Sequence, residues 1–139
     1  MIILSPEELR YIELEISRYD LYRREIAAER NRILDSSPHP GNSPSRQAGG
    51  NSPTEAKAIR LISSPAILRM ERSVSAVDLA LCRLGTIHRS IFELYFRAGR
   101  RDRYAICDEL HISERTFWRC RRQIIEAVGL ELGIASLDH

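Results

Sequence analysis

The sequence predicts an all-α protein: a long N-terminal helical hairpin or coiled coil, then a C-terminal helix-turn-helix domain. Three observations carry this. Two separate stretches repeat apolar residues in alternating steps of three and four, the signature of a helix seam. Ser-Pro-x-Glu occurs at Ser5-Pro6-Glu7-Glu8 and again at Ser52-Pro53-Thr54-Glu55, and each reads as a helix start. Finally, Arg101–Val128 reads as a helix, a tight turn and a second helix studded with arginines. With 139 residues, 43% of them apolar, the chain can build a core for one domain or a small domain plus an extension.

In the first helix Ser5 is the cap, Pro6 suits the first turn and Glu8 completes a capping box. The pattern then continues to Leu34, roughly 30 residues or ~45 Å. Its inward positions are Leu9, Ile12, Ile16, Tyr19, Arg23, Ile26, Arg30 and Ile33. Arg23 and Arg30 interrupt the apolar stripe. Either they are buried polar seam positions that set register, or their stems snorkel to water from a loosely packed end.

Residues 35–53, with four prolines, three glycines and many serines, predict a disordered loop between two helices. Helix resumes from Ser52 to about Ser63, and Ser64-Pro65 marks a kink or restart. Ile67, Met70, Val74, Val77, Leu81 and Leu84 make the second seam. The two seams pair either within one chain, as an antiparallel hairpin, or between subunits. Residues 1–84 form this part, and residues 85–139 the second domain. There, Gly85 ends one helix, Thr86 caps the next over Ile87–Ala98, and Gly99 closes it. Ile91, Leu94 and Tyr95, with His88 at the margin, supply the inner face.

Charge is distributed unevenly. The net charge is only +2, yet eight arginines fall between Arg97 and Arg122, so one segment faces an anionic partner. Arginine in place of lysine throughout, Lys57 excepted, has the plainer explanation of a GC-rich genome; only the clustering is informative. Three widely spaced cysteines, Cys82, Cys107 and Cys120, argue for a reducing cytoplasm and against a disulfide framework. The opening MIIL is too short for a signal peptide core, and no apolar run approaches the ~20 residues of a membrane span.

In the arginine-rich segment, Tyr104–Leu110 forms the first helix and His111-Ile112 the turn. Ser113 caps the second helix, whose buried face is Phe117, Cys120, Ile124 and Val128. A helix-turn-helix wants a small residue in the first helix, a sharp turn four residues on, an apolar residue next and another five further along. Cys107, His111, Ile112 and Phe117 stand in those places. The turn position usually carries glycine; histidine tolerates the left-handed backbone better than most residues. Cys107 and Cys120 then become small core residues. A zinc site of Cys107, His111 and Cys120 would lack a fourth ligand and any standard spacing, so no metal and no cofactor are expected.

The outward residues are Arg115, Trp118, Arg119 and Arg122, with Glu114 and Thr116 at the helix start. Arginine near such a start can reach guanine O6 and N7 in the major groove, and arginines further along can hold phosphates. Trp118 either packs on thymine methyls or deoxyribose, or covers a neighbouring helix. Arg100, Arg101 and Arg103 stand ready for the phosphate backbone. The expected contacts with double-stranded DNA are therefore Arg101, Arg103, Ser113, Arg115, Thr116, Trp118, Arg119 and Arg122.

The order of a heptad helix, a polar loop, SPTEAKAIRLISSPAILRMERSVSAVDLAL, SIFELYF and YAICDELHISERTFWRCRRQIIEAVGLELG resembles phage transcriptional regulators of the RinA and ArpU type. Its C-terminal half is similar to region 4 of sigma factors, where LYF precedes the helix-turn-helix. The resemblance covers most of the chain and is strongest over Ile87–Leu132. It implies activation of phage late genes in the bacterial cytoplasm, with host RNA polymerase as a partner. Self-association, as a dimer presenting recognition helices to half-sites about 34 Å apart, fits the seams. A small terminase subunit also joins these parts, and ring assembly rather than a dimer would favour it. An enzyme is not expected, because Asp102, Asp108 and Glu109 form no metal-binding pattern and no activated nucleophile is evident.

Overall fold

A computed structural model describes residues 2–35, 64–99 and 102–135, and the elements among them are all helices. The protein is all-α. The helices are α1 (Pro6–Ser17), α2 (Tyr19–Asp35), α3 (Pro65–Arg83), α4 (Thr86–Ile91), α5 (Arg103–Leu110) and α6 (Glu114–Leu132). α4 runs directly into a π-helical turn, Phe92–Arg97. The chain divides into two compact units, one of residues 1–20 and 72–139, the other of residues 21–71. The expected loop beyond Asp35 and the expected helix from Ser52 to Ser63 lie outside the described residues.

The capping box at the start of α1 is formed. Glu8 N–H donates to Ser5 Oγ at 3.1 Å, and Ser5 N–H donates to Glu8 Oε1 at 2.8 Å. The single helix expected to reach Leu34 is instead broken at Arg18, whose φ of −92° and ψ of 6° leave the helical region. Ser17 Oγ donates to the Leu14 carbonyl at 2.7 Å, a local bond that competes with the regular helix ladder. The break alters the seam locally. Buried positions run Ile12, Ile16, Tyr19, Tyr22, Ile26 and Ile33, with two consecutive steps of three around the break. Tyr22 therefore takes the inward place expected for Arg23, and both Arg23 and Arg30 are exposed.

Within the unit of residues 21–71 the two helical stretches meet in one chain. Arg30 pairs with Glu71 at 2.8 Å. Arg69 donates to the Tyr22 hydroxyl at 3.2 Å, with its guanidinium 5.7 Å from the ring centre. α3 restarts at Pro65, as Ser64-Pro65 suggested: Ser64 Oγ accepts from Ile67 N–H at 3.4 Å. Its deepest line is Ile67, Ser73, Ala76, Val77 and Ala80, while Met70, Val74, Leu81 and Leu84 are half-buried. Small residues occupy the centre of the stripe and the larger predicted ones its flank.

Gly85, not Thr86, is the N-cap of α4. The Gly85 N–H donates to His88 Nδ1 at 3.2 Å, and Thr86 is the first helical residue, exposed. The following π turn is closed by Ala98 N–H donating to the Glu93 carbonyl at 2.9 Å, and Gly99 ends it at φ +70°. The wider turn rotates Phe92 and Phe96 into the core in place of the expected Leu94 and Tyr95, which stay half-buried. Phe92 meets Tyr19 edge-to-face at 5.3 Å. Tyr19 also donates its hydroxyl to Asp78 Oδ1 at 2.6 Å. Arg97 binds both Asp20 oxygens, at 3.0 and 3.1 Å, and the hydrogen bond to Asp20 holds its pKa above the ordinary arginine value.

α6 is the spine of the larger unit. Phe117, Ile124, Ile125 and Val128 are almost wholly buried, alongside Ile12, Ile16, Val77, Ile91 and Ile106 from the other helices. α1 crosses α6 at Gly129, where an added Cβ would lie 2.8 Å from Ile12 Cδ1 and 3.4 Å from Ala135 Cβ. The end of α6 folds back there as well. Gly133 takes φ +78°, and Ile134 and Ala135 N–H both donate to the Gly129 carbonyl at 3.0 Å. No helix among the described residues is long and apolar enough to cross a membrane.

The crossing predicts its own test. Gly129→Ala would gain about 1 kcal/mol of helix propensity on an open helix. Here Ile12 Cδ1 must shift inside a fully buried site, so overpacking of about 1–3 kcal/mol outweighs the propensity gain and the protein loses roughly 1 kcal/mol net. Ile12→Val removes the obstructing methyl. In denaturant unfolding the double variant should recover part of that loss, and additive losses would show that the clash lies elsewhere.

Candidate nucleic-acid interface

α5, its turn and α6 are built by local hydrogen bonds that the sequence dictates. Asp102 caps α5, its Oδ1 accepting from Tyr104 N–H at 3.0 Å and Ala105 N–H at 3.3 Å. His111 ends α5 in the left-handed region, φ 55° and ψ 47°. It is the only non-glycine residue with positive φ among the described residues. That conformation brings Ile112 N–H to the Cys107 carbonyl at 3.0 Å and closes the turn. Ser113 then caps α6, its Oγ accepting from Thr116 N–H at 3.1 Å and donating to Thr116 Oγ1 at 3.0 Å. Ser113 and Thr116 thus spend their hydroxyls on the helix start and on each other, although both were expected at the DNA.

Cys107 and Cys120 are buried where α5 and α6 pack, as their spacing indicated, and Cys82 is exposed. Burial pushes both inner thiols above the usual cysteine pKa. No group of three or more His, Cys, Asp or Glu side chains among the described residues could hold a metal ion.

The opposite face of α6 carries Arg115, Trp118, Arg119 and Arg122, all exposed. Their spacing of three, one and three residues is one helical stripe. They differ in electrostatic state. Arg122 is paired with Glu126 at 3.0 Å, one turn on. Arg115 and Arg119 have no ion-pair partner among the described residues. Arg103, expected to touch phosphate, is held by Glu114 at 2.6 Å, which raises its pKa. Its guanidinium also lies 4.6 Å from the Tyr104 ring centre and 5.6 Å from that of Trp118. Arg101 lies outside the described residues.

Trp118 keeps 41% of its surface exposed while its ring meets Phe117 edge-on at 5.3 Å. A guanidinium missed by the sequence reading, that of Arg121, lies 5.3 Å from the Trp118 ring centre and 5.9 Å from that of Tyr95. Arg121 pairs with Glu13 of α1 at 2.7 Å. Its position four residues after Phe117, at the margin of the apolar face, was the available signal; its partner on a distant helix was not. No known protein family, curated protein or solved structure matches the chain.

The thiols report on this packing. A thiol-specific reagent should label Cys82 in the folded protein and reach Cys107 and Cys120 only on unfolding. The sign of the pH effect follows. Because the folded thiols keep their protons to higher pH than the unfolded chain does, their share of stability is whole below the ordinary thiol pKa. It is lost as pH rises through the raised values. Cys107→Ser with Cys120→Ser should flatten that alkaline loss, measured by denaturant unfolding from neutral pH upward.

Proposed function

We propose that the chain is a sequence-specific DNA-binding protein that uses α5, the His111 turn and α6 as a helix-turn-helix. One observation carries this: a recognition-length helix buries an apolar face and presents, opposite, a stripe in which Arg115 and Arg119 are exposed and have no carboxylate partner among the described residues. An unpaired guanidinium is a donor fork available to guanine edges or phosphate oxygens without first breaking an ion pair. Arg115, one residue inside α6, is the base reader; Arg119 and Arg122 follow the stripe toward the phosphates. Trp118 lies among them in the sequence and keeps 41% of its surface exposed.

The resemblance to RinA- and ArpU-type regulators narrows the reading. The protein then acts in the bacterial cytoplasm as an activator of phage late genes, as a homodimer and in contact with host RNA polymerase. The enzyme class has no support in the arginine stripe, which supplies binding groups and no nucleophile.

Selection of duplexes from random sequence, followed by binding titrations over a range of salt, tests the proposal. Affinity should fall steeply with salt. Arg119→Ala should weaken the selected duplex by about tenfold or more, with helix content by circular dichroism unchanged. Unaltered affinity in that variant rejects the assigned face, and a flat salt response rejects nucleic acid as the ligand.

A further inference from the structure

Arg121 has no place in the interface just described, yet its environment is unusual. Its side chain is only 18% exposed. Its Nε is buried with no hydrogen-bond partner, the one such side-chain atom found among the described residues. Leaving a buried donor unmade is unfavourable, and a native protein rarely keeps one without a reason. What Arg121 does have is Glu13 on α1 at 2.7 Å, and two aromatic faces, Tyr95 and Trp118. On the Trp118 side the pattern repeats. Arg103 lies 5.6 Å from the same indole and is itself held by Glu114. The side chains therefore form one series across three helices: Glu13, Arg121, Trp118, Arg103, Glu114. Each guanidinium is fixed by a carboxylate, and both share the Trp118 ring while each also lies near a tyrosine, Tyr95 or Tyr104.

We propose that Glu13 and Arg121 are positioning residues for DNA recognition: the series locks Trp118, and through it the Arg115–Arg119 stripe, in a fixed orientation relative to α1 and α5. This deepens the DNA-binding reading and rests on it. The mechanical reason is the helix geometry. Trp118 stands three residues after Arg115 and four before Arg122, its neighbours on the helix surface, so the indole limits the rotamers of the two arginines that flank Arg119 on the stripe. A loose indole would let those long side chains sample water, and their ordering entropy would then oppose binding. α1 thereby acts on the interface without reaching it.

The sole tryptophan of the chain is Trp118, so its emission reports this site alone. Glu13→Gln leaves size and helix propensity nearly unchanged and removes one negative charge. By charge alone that variant should bind DNA more tightly. The positioning role requires the opposite: affinity for the selected duplex lower by about three- to tenfold, as expected for losing a partly buried cation–aromatic anchor, with the salt slope unchanged because no phosphate contact is lost. It also requires the Trp118 emission of the free protein to shift and become more open to acrylamide quenching. Glu13→Asp, which restores the carboxylate, should recover part of both effects.

Glu13→Gln protein that binds as tightly as wild type, or tighter, overturns the proposal. So does unchanged emission, whatever the affinity. Failure of the wild-type chain to select any duplex rejects the DNA-binding reading itself, and the positioning role falls with it. The emission measurement would still separate that outcome from a missing Glu13–Arg121 link.

Discussion

The burial of one face of α6 is the constraint from which the rest of the larger unit follows. Phe117, Cys120, Ile124, Ile125, Val128 and Gly129 are all buried on a helix of 19 residues. Several other elements of that unit cover them. α1 brings Ile12 onto Gly129, α5 brings Ile106 and Cys107, and the π turn brings Tyr95 onto Phe117 at 5.3 Å. Fixing that face fixes its opposite by helix geometry alone. The arginine stripe cannot turn away from solvent unless the core is dismantled.

A helix held so firmly along its length still needs a defined start, because its first turn carries Arg115, the base reader of the proposed function. The short connection from α5 leaves little slack. His111 adopts a left-handed conformation that costs a non-glycine residue roughly 1 kcal/mol or more. It is tolerated because Ile112, half-buried, and Ser113, the cap, both depend on the chain reversing there. Asp102 accepts from two of the free N–H groups at the start of α5 and Ser113 from one at the start of α6, which defines where each helix begins.

The parts of this architecture written in local chemistry could be read from the sequence, and the parts that depend on distant partners could not. Ser5 with Glu8, Ser113 before the arginine-rich helix, Gly99 after the π turn and the cysteines at helical spacing are all short-range signals, and each stands where its chemistry requires. Beyond Tyr19 the expected Ile26 and Ile33 are buried, but at the break Tyr22 takes the place expected for Arg23, a local change that periodicity does not record. The π turn defeated the expected inner face in the same way: a pattern drawn with 3.6 residues per turn misplaces Phe92 and Phe96 once the ladder widens. The exposed stripe was legible because it is the complement of an apolar face. Which of its arginines are free was not, since Glu114 and Glu126 are as available to the eye as Asp108 and Glu109, and only the fold pairs them with Arg103 and Arg122.

That pairing has consequences for how such a surface would act. Were all the arginines near α6 free, attraction to any polyanion would dominate, and phosphate contacts by themselves carry no sequence information. Neutralising Arg103 with Glu114 and Arg122 with Glu126 leaves the stripe's unpaired charge at Arg115 and Arg119 among the described residues. Glu114 beside the helix start would also repel a phosphate unless a cation accompanied it. On the proposed function the carboxylates would trade general affinity for discrimination, the balance a site-specific DNA reader needs against the excess of non-specific DNA. Arg121 fits the same economy: a guanidinium turned inward to Glu13 adds rigidity to the stripe without adding to its charge.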